Sequence, residues 1–321
     1  MAEMQDTRSL KPDIEPRPNG LIVVDKPPGP TTYDCIRHLR RACRIPRDWK
    51  MGHLGTLDPF ATGVVVIAMG QAVRYAEYAL HSTKKYRARL WLGEETDTLD
   101  PTGKVIDAKP VPPGLKARLP DAAAKFTGFI EQMPPAFSAK QVGGRRSYKA
   151  ARKGEKVELR PVKVEILSIA FDEPAENWVD FVTVVSAGTY IRALGRDIAR
   201  ELGTVGHLIG LERLAVGRFP LEEAIPFDAF EVGGARPLLN HLRPVEQILE
   251  HLAAVTIRSG AGEKVLHGRL LSDEDFEGEL PSAESQAQAV RLVDTNGKLM
   301  ALGRPCDNPP GIVPFKPWVA D

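Results

Sequence analysis

Cysteine is scarce in this chain of 321 residues, which contains only Cys35, Cys43 and Cys306. So few thiols at such uneven spacing exclude a disulfide framework and a Cys-x-x-Cys metal site, and they favour a reducing compartment. Long apolar runs are missing too, because the longest, residues 64–69, is far shorter than the roughly 18 residues of a membrane-spanning helix. The N-terminus has acids and prolines in place of the apolar segment of a signal peptide. We therefore expect no membrane span, no export and a cytoplasmic location.

The chain also lacks a net charge of either sign, with 43 Lys and Arg residues against 42 Asp and Glu residues. The distribution of these charges is uneven. Residues 31–50 carry six basic and two acidic side chains, a net charge of +4, and residues 133–163 carry nine basic and two acidic ones, a net charge of +7. The rest of the chain therefore has a net charge of −10. Two basic segments in a neutral chain predict a local surface that binds a polyanion.

Common cofactor and nucleophile motifs are absent as well. The sequence contains no G-x-x-x-x-G-K-[ST], no G-x-G-x-x-G, no H-E-x-x-H and no G-x-S-x-G. It gives no support for a nucleotide cofactor, zinc hydrolysis or serine esterase chemistry. We expect no cofactor and no bound metal.

Hydrophobic patterning divides the chain into three parts. Residues 1–18 alternate prolines with charges, which indicates a disordered tail. Residues 19–249 contain more predicted strands than helices and no regular βαβ repeat, which favours an α+β fold around a mixed, largely antiparallel sheet. Residues 250–321 predict a small all-β domain, with strands at 265–271, 289–293 and 298–303 and a hairpin turn at Asn296-Gly297.

Within the larger part, the predicted strands are residues 21–24, 64–69, 86–92, 162–171 and 179–186. One helix is predicted to begin after Thr31 or Thr32, with an apolar stripe formed by Tyr33, Ile36, Leu39 and Cys43. A second helix is predicted to open at Gly188-Thr189 and to end at Gly203.

A loop of unusual composition, residues 52–63 (GHLGTLDPFATG), precedes the second predicted strand. Its glycines permit a tight backbone path, and Pro59 favours extended geometry at Asp58, so one carboxylate is expected at the rim of the sheet. There it can serve as a nucleophile or a general base. From these residues alone, the simpler alternative is that Asp58 only caps a turn. A metal site at His53 and Asp58 lacks a third ligand nearby.

Together with residues 20–27 (GLIVVDKP), 186–192 (SAGTYIR) and 208–216 (LIGLERLAV), this loop resembles the TruB-type tRNA pseudouridine synthases in sequence and order. The resemblance covers residues 20–225, and Phe60-Ala61 favours the standalone bacterial enzymes over relatives that work in guide-RNA particles. It implies the pseudouridine synthase fold, and more loosely a PUA-like C-terminal domain. The implied reaction is the isomerisation of uridine 55 in the T loop of tRNA to pseudouridine, without a cofactor. Residues 96–103 (TDTLDPTG) match a further segment, whose role stays open.

The resemblance also implies roles for single residues. Asp58 matches the essential aspartate, which attacks the ribose or abstracts a proton from it. Tyr86 matches the aromatic residue that stacks on the flipped uracil, and Arg192 matches the arginine that pairs with the aspartate. Further positions around the substrate are matched by His53, Tyr190, Leu211 and Lys26. Without the resemblance, Tyr86 would be read as a core residue, and Arg192 and His53 as surface residues.

The more basic segment, within residues 133–163, resembles the family's inserted loop that closes over the T arm. The candidate RNA-binding side chains are Lys140, Arg145, Arg146, Lys149, Arg152 and Lys153. Phosphate contacts by this loop would make the affinity for tRNA fall steeply with salt. The alternative is a solvated surface loop with no ligand.

Two rival functions use the same scaffold: a noncatalytic tRNA-binding protein or folding chaperone, and a guide-RNA-dependent subunit. Asp58, Tyr86 and Arg192 occur together, which a binding protein would not need, so an enzyme is favoured. We expect a monomer that acts on free tRNA without an obligatory protein partner.

Overall fold

The computed structural model describes residues 17–80, 82–136, 141–142, 145–146, 160–278, 289–307 and 310–318, with residues 80, 141–142 and 145–146 described in the backbone only. Residues 1–16 of the predicted tail lie outside the described residues. No helix within the described ranges has both the length and the apolar character required to cross a membrane.

The strands, in chain order, are β1 (Gly20–Lys26), β2 (Met51–His53), β3 (Thr62–Met69), β4 (Lys84–Leu92), β5 (Glu94–Thr96), β6 (Val105–Ala108), β7 (Gly128–Gln132), β8 (Gln141–Val142), β9 (Arg145–Arg146), β10 (Val162–Phe171), β11 (Trp178–Val185), β12 (Gly206–Val216), β13 (Phe219–Pro220), β14 (Ile225–Pro226), β15 (Ala254–Ile257), β16 (Phe276–Glu277), β17 (Val290–Val293), β18 (Leu299–Asp307) and β19 (Pro310–Phe315). The described α-helices are α1 (Thr32–Ala42), α2 (Ala76–Leu80), α3 (Leu115–Phe126), α4 (Ile191–Glu201), α5 (Ala229–Gly233), α6 (Ala235–Asn240) and α7 (Gly262–Leu266).

A ten-stranded sheet forms the larger part of the molecule. Its order is β14-β1-β3-β12-β4-β11-β10-β7, with β2 added to β3 and β13 added to β12. The pairs β1–β14 and β3–β12 are parallel, and the other neighbours are antiparallel. The predicted α+β class with a mixed, largely antiparallel sheet is therefore confirmed.

Helix α4 packs closely on the centre of this sheet. Strand β4 alternates buried Tyr86, Ala88, Leu90 and Leu92 with exposed Arg87 and Arg89 and half-buried Trp91, as its sequence predicts. A Cβ atom on Gly195 of α4 would lie 2.7 Å from Cδ2 of Leu208 in β12 and 3.3 Å from Cδ1 of Leu90 in β4, so a larger residue there would displace these side chains. The close packing places the first turn of α4 beside the ends of β4 and β12.

Three local predictions are corrected. Tyr33 is 64% exposed and not part of the apolar stripe, because it lies at the edge of the face that buries Ile36 and Leu39 and its ring lies under the guanidinium of Arg37. Helix α4 begins at Ile191 rather than at Gly188-Thr189, since Gly188 has a φ of +83°, which lies outside the right-handed helical region. The predicted loop before β3 contains the short strand β2.

A separate five-stranded sheet follows, with the order β16-β15-β17-β18-β19. The strands predicted at 289–293 and 298–303 are found as β17 and β18, and the turn between them contains Asn296 and Gly297. The strand predicted at 265–271 is wrong. Residues 262–266 form helix α7 instead. Within this helix Val265 is buried in the core and Leu266 is half exposed, so the apolar run does not lie on one face of a strand.

The two sheets are in contact. Leu299 and Leu302 of β18 pack into the same apolar cluster as Leu21 of β1 and Val66 of β3. The hydroxyl of Tyr75 donates to the carbonyl of Lys316 over 2.5 Å. The five-stranded sheet is thus attached to the face of β1 and β3 that lies opposite α1.

Candidate active site

A cavity of about 280 Å³ opens at the ends of β4 and β12, beside the first turn of α4. Of the residues predicted from the sequence, it is lined by Asp58, Tyr86, Tyr190, Arg192 and Leu211. Lys84 and Arg213, which the sequence did not single out, line it as well. His53 and Lys26 lie outside the lining.

Asp58 and Arg192 form a two-point ion pair. Nε of Arg192 lies 2.9 Å from Oδ2 of Asp58, and Nη2 donates to Oδ1 over 3.2 Å. The Arg192 side chain is 7% exposed, whereas that of Asp58 is 32% exposed. Two parallel bonds to a planar guanidinium fix the orientation of a carboxylate, so Asp58 is held with one side open to the cavity.

A second carboxylate lies behind Arg192. Nη1 of Arg192 donates to Oδ2 of Asp100 over 3.2 Å and to the carbonyl of Thr98 over 2.7 Å. Asp100 is buried, and Oδ1 accepts bonds from the hydroxyls of Thr98 and Thr102 and from the backbone N–H of Thr102. The segment whose role stayed open in the sequence therefore holds the arginine that orients Asp58.

Buried side chains also hold the backbone on both sides of Asp58. The hydroxyl of Thr32, in α1, donates to the carbonyl of Leu57 and accepts from its N–H. Nζ of Lys26, in β1, donates to the carbonyls of Pro27 and Pro59 over 2.8 and 3.1 Å. Lys26 is fully buried, and burial is the main cause that lowers its pKa to about 8. Its ammonium therefore contacts the loop through these backbone carbonyls, outside the lining of the cavity.

Arg213 of β12 holds the preceding turn of the same loop. Its guanidinium donates to the carbonyls of Gly55, Thr56 and Val64 over 3.2, 3.0 and 2.7 Å, and the side chain is 2% exposed. Gly63 permits this contact, because a Cβ there would lie 2.3 Å from the carbonyl oxygen of Arg213. From the sequence, the one indication that Arg213 belongs to the site was that it lies in the segment LIGLERLAV, which resembles the family.

Tyr86, Tyr190 and Leu211 form much of the cavity wall. Tyr86 is 8% exposed and pairs with Arg213 across β4 and β12. Tyr190 precedes α4, and its N–H and carbonyl are bonded to the side chain of Gln132. His53 lies in β2, where burial and the Arg213 guanidinium lower the pKa of its imidazole. Its ring is therefore neutral at pH 7.

The predicted RNA-binding side chains are not placed by the structure. Arg145 and Arg146 form β9, which pairs with β8, and only their backbone is described. Lys140, Lys149, Arg152 and Lys153 lie outside the described residues. Within the described part of the chain, no three His, Cys, Asp or Glu side chains cluster as metal ligands would.

The lining of the cavity thus contains an oriented carboxylate, an aromatic ring and three buried cations. A single ligand in the cavity would be in reach of the carboxylate and the ring. A carboxylate in this setting can attack a carbon atom or accept a proton. An aromatic wall can stack on a planar ring. The arrangement fits a nucleotide with its base removed from the stack.

Comparisons with known proteins agree with this geometry. Residues 40–191 match the family model "TruB family pseudouridylate synthase (N terminal domain)". The chain is 34% identical to tRNA pseudouridine synthase B of Caldanaerobacter subterraneus subsp. tengcongensis over 89% of this chain and 94% of that protein. It is 38% identical to tRNA pseudouridine synthase B of Rhodospirillum rubrum over 89% of this chain and 92% of that protein.

Solved structures share the fold. A structure of an H/ACA ribonucleoprotein bound to a substrate RNA containing 2'-deoxyuridine matches with a TM-score of 0.68 and 24% identity, over 94% of this chain and 85% of that one. A crystal structure of a Cbf5-Nop10-Gar1 complex matches with a TM-score of 0.64 and 26% identity, over 89% of this chain and 78% of that one.

Proposed function

Because the chain belongs to the TruB family of pseudouridylate synthases, we propose that it isomerises uridine to pseudouridine in tRNA, at position 55 of the T loop. The glycosidic bond between N1 and the ribose breaks, and the uracil rejoins the same carbon through C5. Product and substrate have the same atoms, so the reaction consumes no oxidant or reductant. A noncatalytic chaperone is not favoured by relatives that are named synthases.

The observation that supports an enzyme most directly is the Asp58–Arg192 pair at the wall of the cavity. The pair leaves the carboxylate one-third exposed while fixing its direction. Asp58 is the group proposed to act on the ribose, by attack or by proton abstraction. Arg192 positions it, and Asp100 in turn positions Arg192.

The target base must leave the T loop before it can enter this cavity, which costs a few kcal/mol. Tyr86 is proposed to offset part of that cost by stacking on the flipped uracil. Tyr190 and Leu211 complete the pocket wall, and His53 is proposed to occupy the space that the base leaves. Lys26 acts on the loop rather than on the substrate, since its ammonium bonds two backbone carbonyls.

The test uses the purified protein alone with an unmodified tRNA transcript, and pseudouridine is mapped by chemical probing. We expect modification of one uridine, at position 55, and none in a matched transcript that carries cytidine there. Modification elsewhere would contradict the site of action. Binding of tRNA without any product would favour the chaperone.

The same assay tests the proposed independence from partners. Cbf5 in one matching structure is in complex with other proteins. Here the relatives of high coverage are tRNA pseudouridine synthase B, so we propose that this chain acts as a monomer in the cytoplasm on free tRNA. A requirement for a guide RNA or a second protein would overturn this proposal.

The basic segment is proposed to hold the phosphates of the T arm. Neutralising Arg145, Arg146, Arg152 and Lys153 together should weaken binding and flatten the dependence of log Kd on log salt. The matched control neutralises four exposed lysines outside both basic segments, Lys104, Lys109, Lys116 and Lys125, and should leave the slope unchanged. An unchanged slope in the first variant would show that the loop does not reach phosphates.

The domain assignment also stays a proposal. Residues 19–249 would be the synthase domain, with an insertion at 133–163, and residues 250–321 a PUA-like domain. The five-stranded sheet of β15–β19 supports the second boundary, because its own apolar cluster contains residues from Val255 to Ile312.

A further inference from the structure

Lys84 is a buried cation that lines the cavity. Neither the family motifs nor the mechanism proposed above assigns a role to this residue. It is the first residue of β4, two positions before Tyr86, so both side chains lie on the same face of the strand. Lys84 is 8% exposed, and it lines the same cavity as Asp58 and Tyr86. Its Nζ donates to the carbonyl of Ser82 over 2.5 Å, which directs the ammonium at the end of the strand.

The charged side chains that the structure describes around the cavity carry more positive than negative charge. Among the described residues, the lining contains Lys84, Arg192 and Arg213 and one carboxylate, that of Asp58. Arg192 is shared between Asp58 and Asp100, whereas Arg213 bonds carbonyl oxygens, which carry no net charge. Even with Asp100 included, the positive charge exceeds the negative charge. A buried excess of this sign suits an occupant that is negative or becomes negative during the reaction.

Burial and the nearby Arg213 lower the pKa of Lys84 to about 8. The fold therefore keeps an ammonium where its charge is disfavoured. Groups in that condition within a cleft are frequent at functional sites. The charged and titratable groups described around this cavity are Arg213 from β12, Tyr86 from β4, Asp58 from its loop, Tyr190 before α4 and Arg192 from α4.

The proposed reaction creates such a negative charge. When the bond between N1 and C1′ breaks, its electron pair stays on the uracil ring and spreads over the carbonyl oxygens. The ring then returns a pair to C1′ through C5, C5 releases its proton, and N1 takes one up. Between these two bonds, the detached ring is an anion that needs a nearby cation.

We propose that the ammonium of Lys84 contacts the flipped uracil and balances the negative charge of the detached ring. This inference rests on the proposed function and adds a substrate-contacting residue to it. Lys84 and Tyr86 would then act on one base from one strand face, the first by charge and the second by stacking.

The test measures single-turnover rates of pseudouridine formation with saturating enzyme. Wild-type protein is assayed first, so that absence of any product counts against the proposed function and not against Lys84. K84M keeps the length of the side chain without its charge and should lower the rate on the order of 100-fold, as loss of one preorganised charge does. K85M removes the same charge from the exposed, opposite face of β4 and should leave the rate within about twofold of the wild type.

The variant K84R allows a second measurement, the dependence of the rate on pH. That dependence would not change if Lys84 had only a structural role. Because the active form carries the proton, the wild-type rate should fall as the pH rises through the pKa of Lys84, while arginine stays charged. The ratio of the K84R rate to the wild-type rate should therefore rise several-fold between pH 7 and pH 9. Using the ratio cancels titration of Lys26, which both proteins share. The proposal is overturned if K84M reacts at the wild-type rate. It is also overturned if the ratio of the K84R rate to the wild-type rate does not change with pH. This second measurement remains possible even if K84M does not fold.

Discussion

The cavity of the large sheet and the core of the five-stranded sheet bury different kinds of side chain. Around the cavity, Lys26, Lys84, Arg192, Arg213 and Asp100 are all less than 10% exposed. The five-stranded sheet instead packs apolar side chains from β15 to β19, and Asp275 is its one buried charged residue among those that the structure describes. Charge is buried where the proposed chemistry needs it.

This difference indicates that the residues proposed to act in catalysis and the residues that stabilise the fold lie largely in different parts of the molecule. Each charged group near the cavity is bonded to a carbonyl or to an opposite charge, which offsets a desolvation cost of several kcal/mol per ion. Such groups give little net stability, but Lys26, Arg192 and Arg213 fix Asp58 and its loop. Changes at the cavity should therefore reduce turnover more than stability, and changes in the C-terminal core should do the reverse.

The largest effect is expected from Asp58→Asn. It keeps the shape of the side chain but removes the proposed nucleophile or base, so the single-turnover rate should fall by about 10⁴-fold or more. The Kd for tRNA, measured by filter binding, should stay within about threefold of the wild type, because the base pocket and the basic segment are intact. Substantial residual turnover would remove Asp58 from this role.

Asp100→Asn should have the next largest effect on turnover. The amide cannot supply the negative charge behind Arg192, so the pair with Asp58 loosens and the rate should fall by about 10- to 100-fold. The matched control is Asp97→Asn in the same loop, since the Asp97 carboxylate accepts from the backbone N–H of Lys104. Equal losses in both variants would mean that the loop, not the charge, is responsible.

Leu292→Ala tests the other region. Leu292 is fully buried in the core of the five-stranded sheet, so its truncation should lower the free energy of unfolding by about 2–5 kcal/mol, measured in urea. Turnover of the folded variant at 25 °C should match the wild type. A loss of turnover without unfolding would show that the two regions are coupled.

The smallest effect concerns Asp275, the exception in that core. Burial alone would raise the pKa of its carboxyl, but bonds from Lys264 and Ser272 outweigh burial and lower it. The ionised pair therefore stabilises the fold at neutral pH, and this contribution is lost as the pH falls through the folded-state pKa, below 3.8. Asp275→Asn should lower the melting temperature by a few degrees at pH 7. That difference should shrink in acid; a constant difference would contradict the ionic origin.

Local patterns predicted the elements whose sequence is regular. Strand β4 followed from alternation, and the end of α4 followed from Gly203, whose φ is +88°. Strand β12 was not predicted as a strand, because bulges at 208–210 and 213–215 break its alternation. The strand predicted at 265–271 was wrong, since a short apolar run fits a helix as well as a strand.

The site was only partly accessible to sequence reasoning. The residues that line the cavity and match family motifs, such as Asp58 and Arg192, were named in advance, and the ion pair between them is observed. Arg213 and Lys84 were missed, because their importance lies in contacts with distant backbone and in burial, which no local pattern encodes. Asp100 was noticed without a role, since its link to Arg192 joins residues far apart in the chain.

The bond from Arg213 to the carbonyl of Thr56 joins residues 157 positions apart, which sets an order of events during synthesis. At about 5–20 residues per second, the loop with Asp58 leaves the ribosome roughly 10–30 s before the strand that holds it. During most of that interval Lys26 and Thr32 are already available to the loop, whereas Arg192 and Arg213 are made near its end. Until β12 has been inserted between β3 and β4, a nascent chain therefore lacks the bonds from Arg213 to this loop. On the proposed role of Asp58, turnover must await β12, although β13 and β14 of the same sheet are synthesised later.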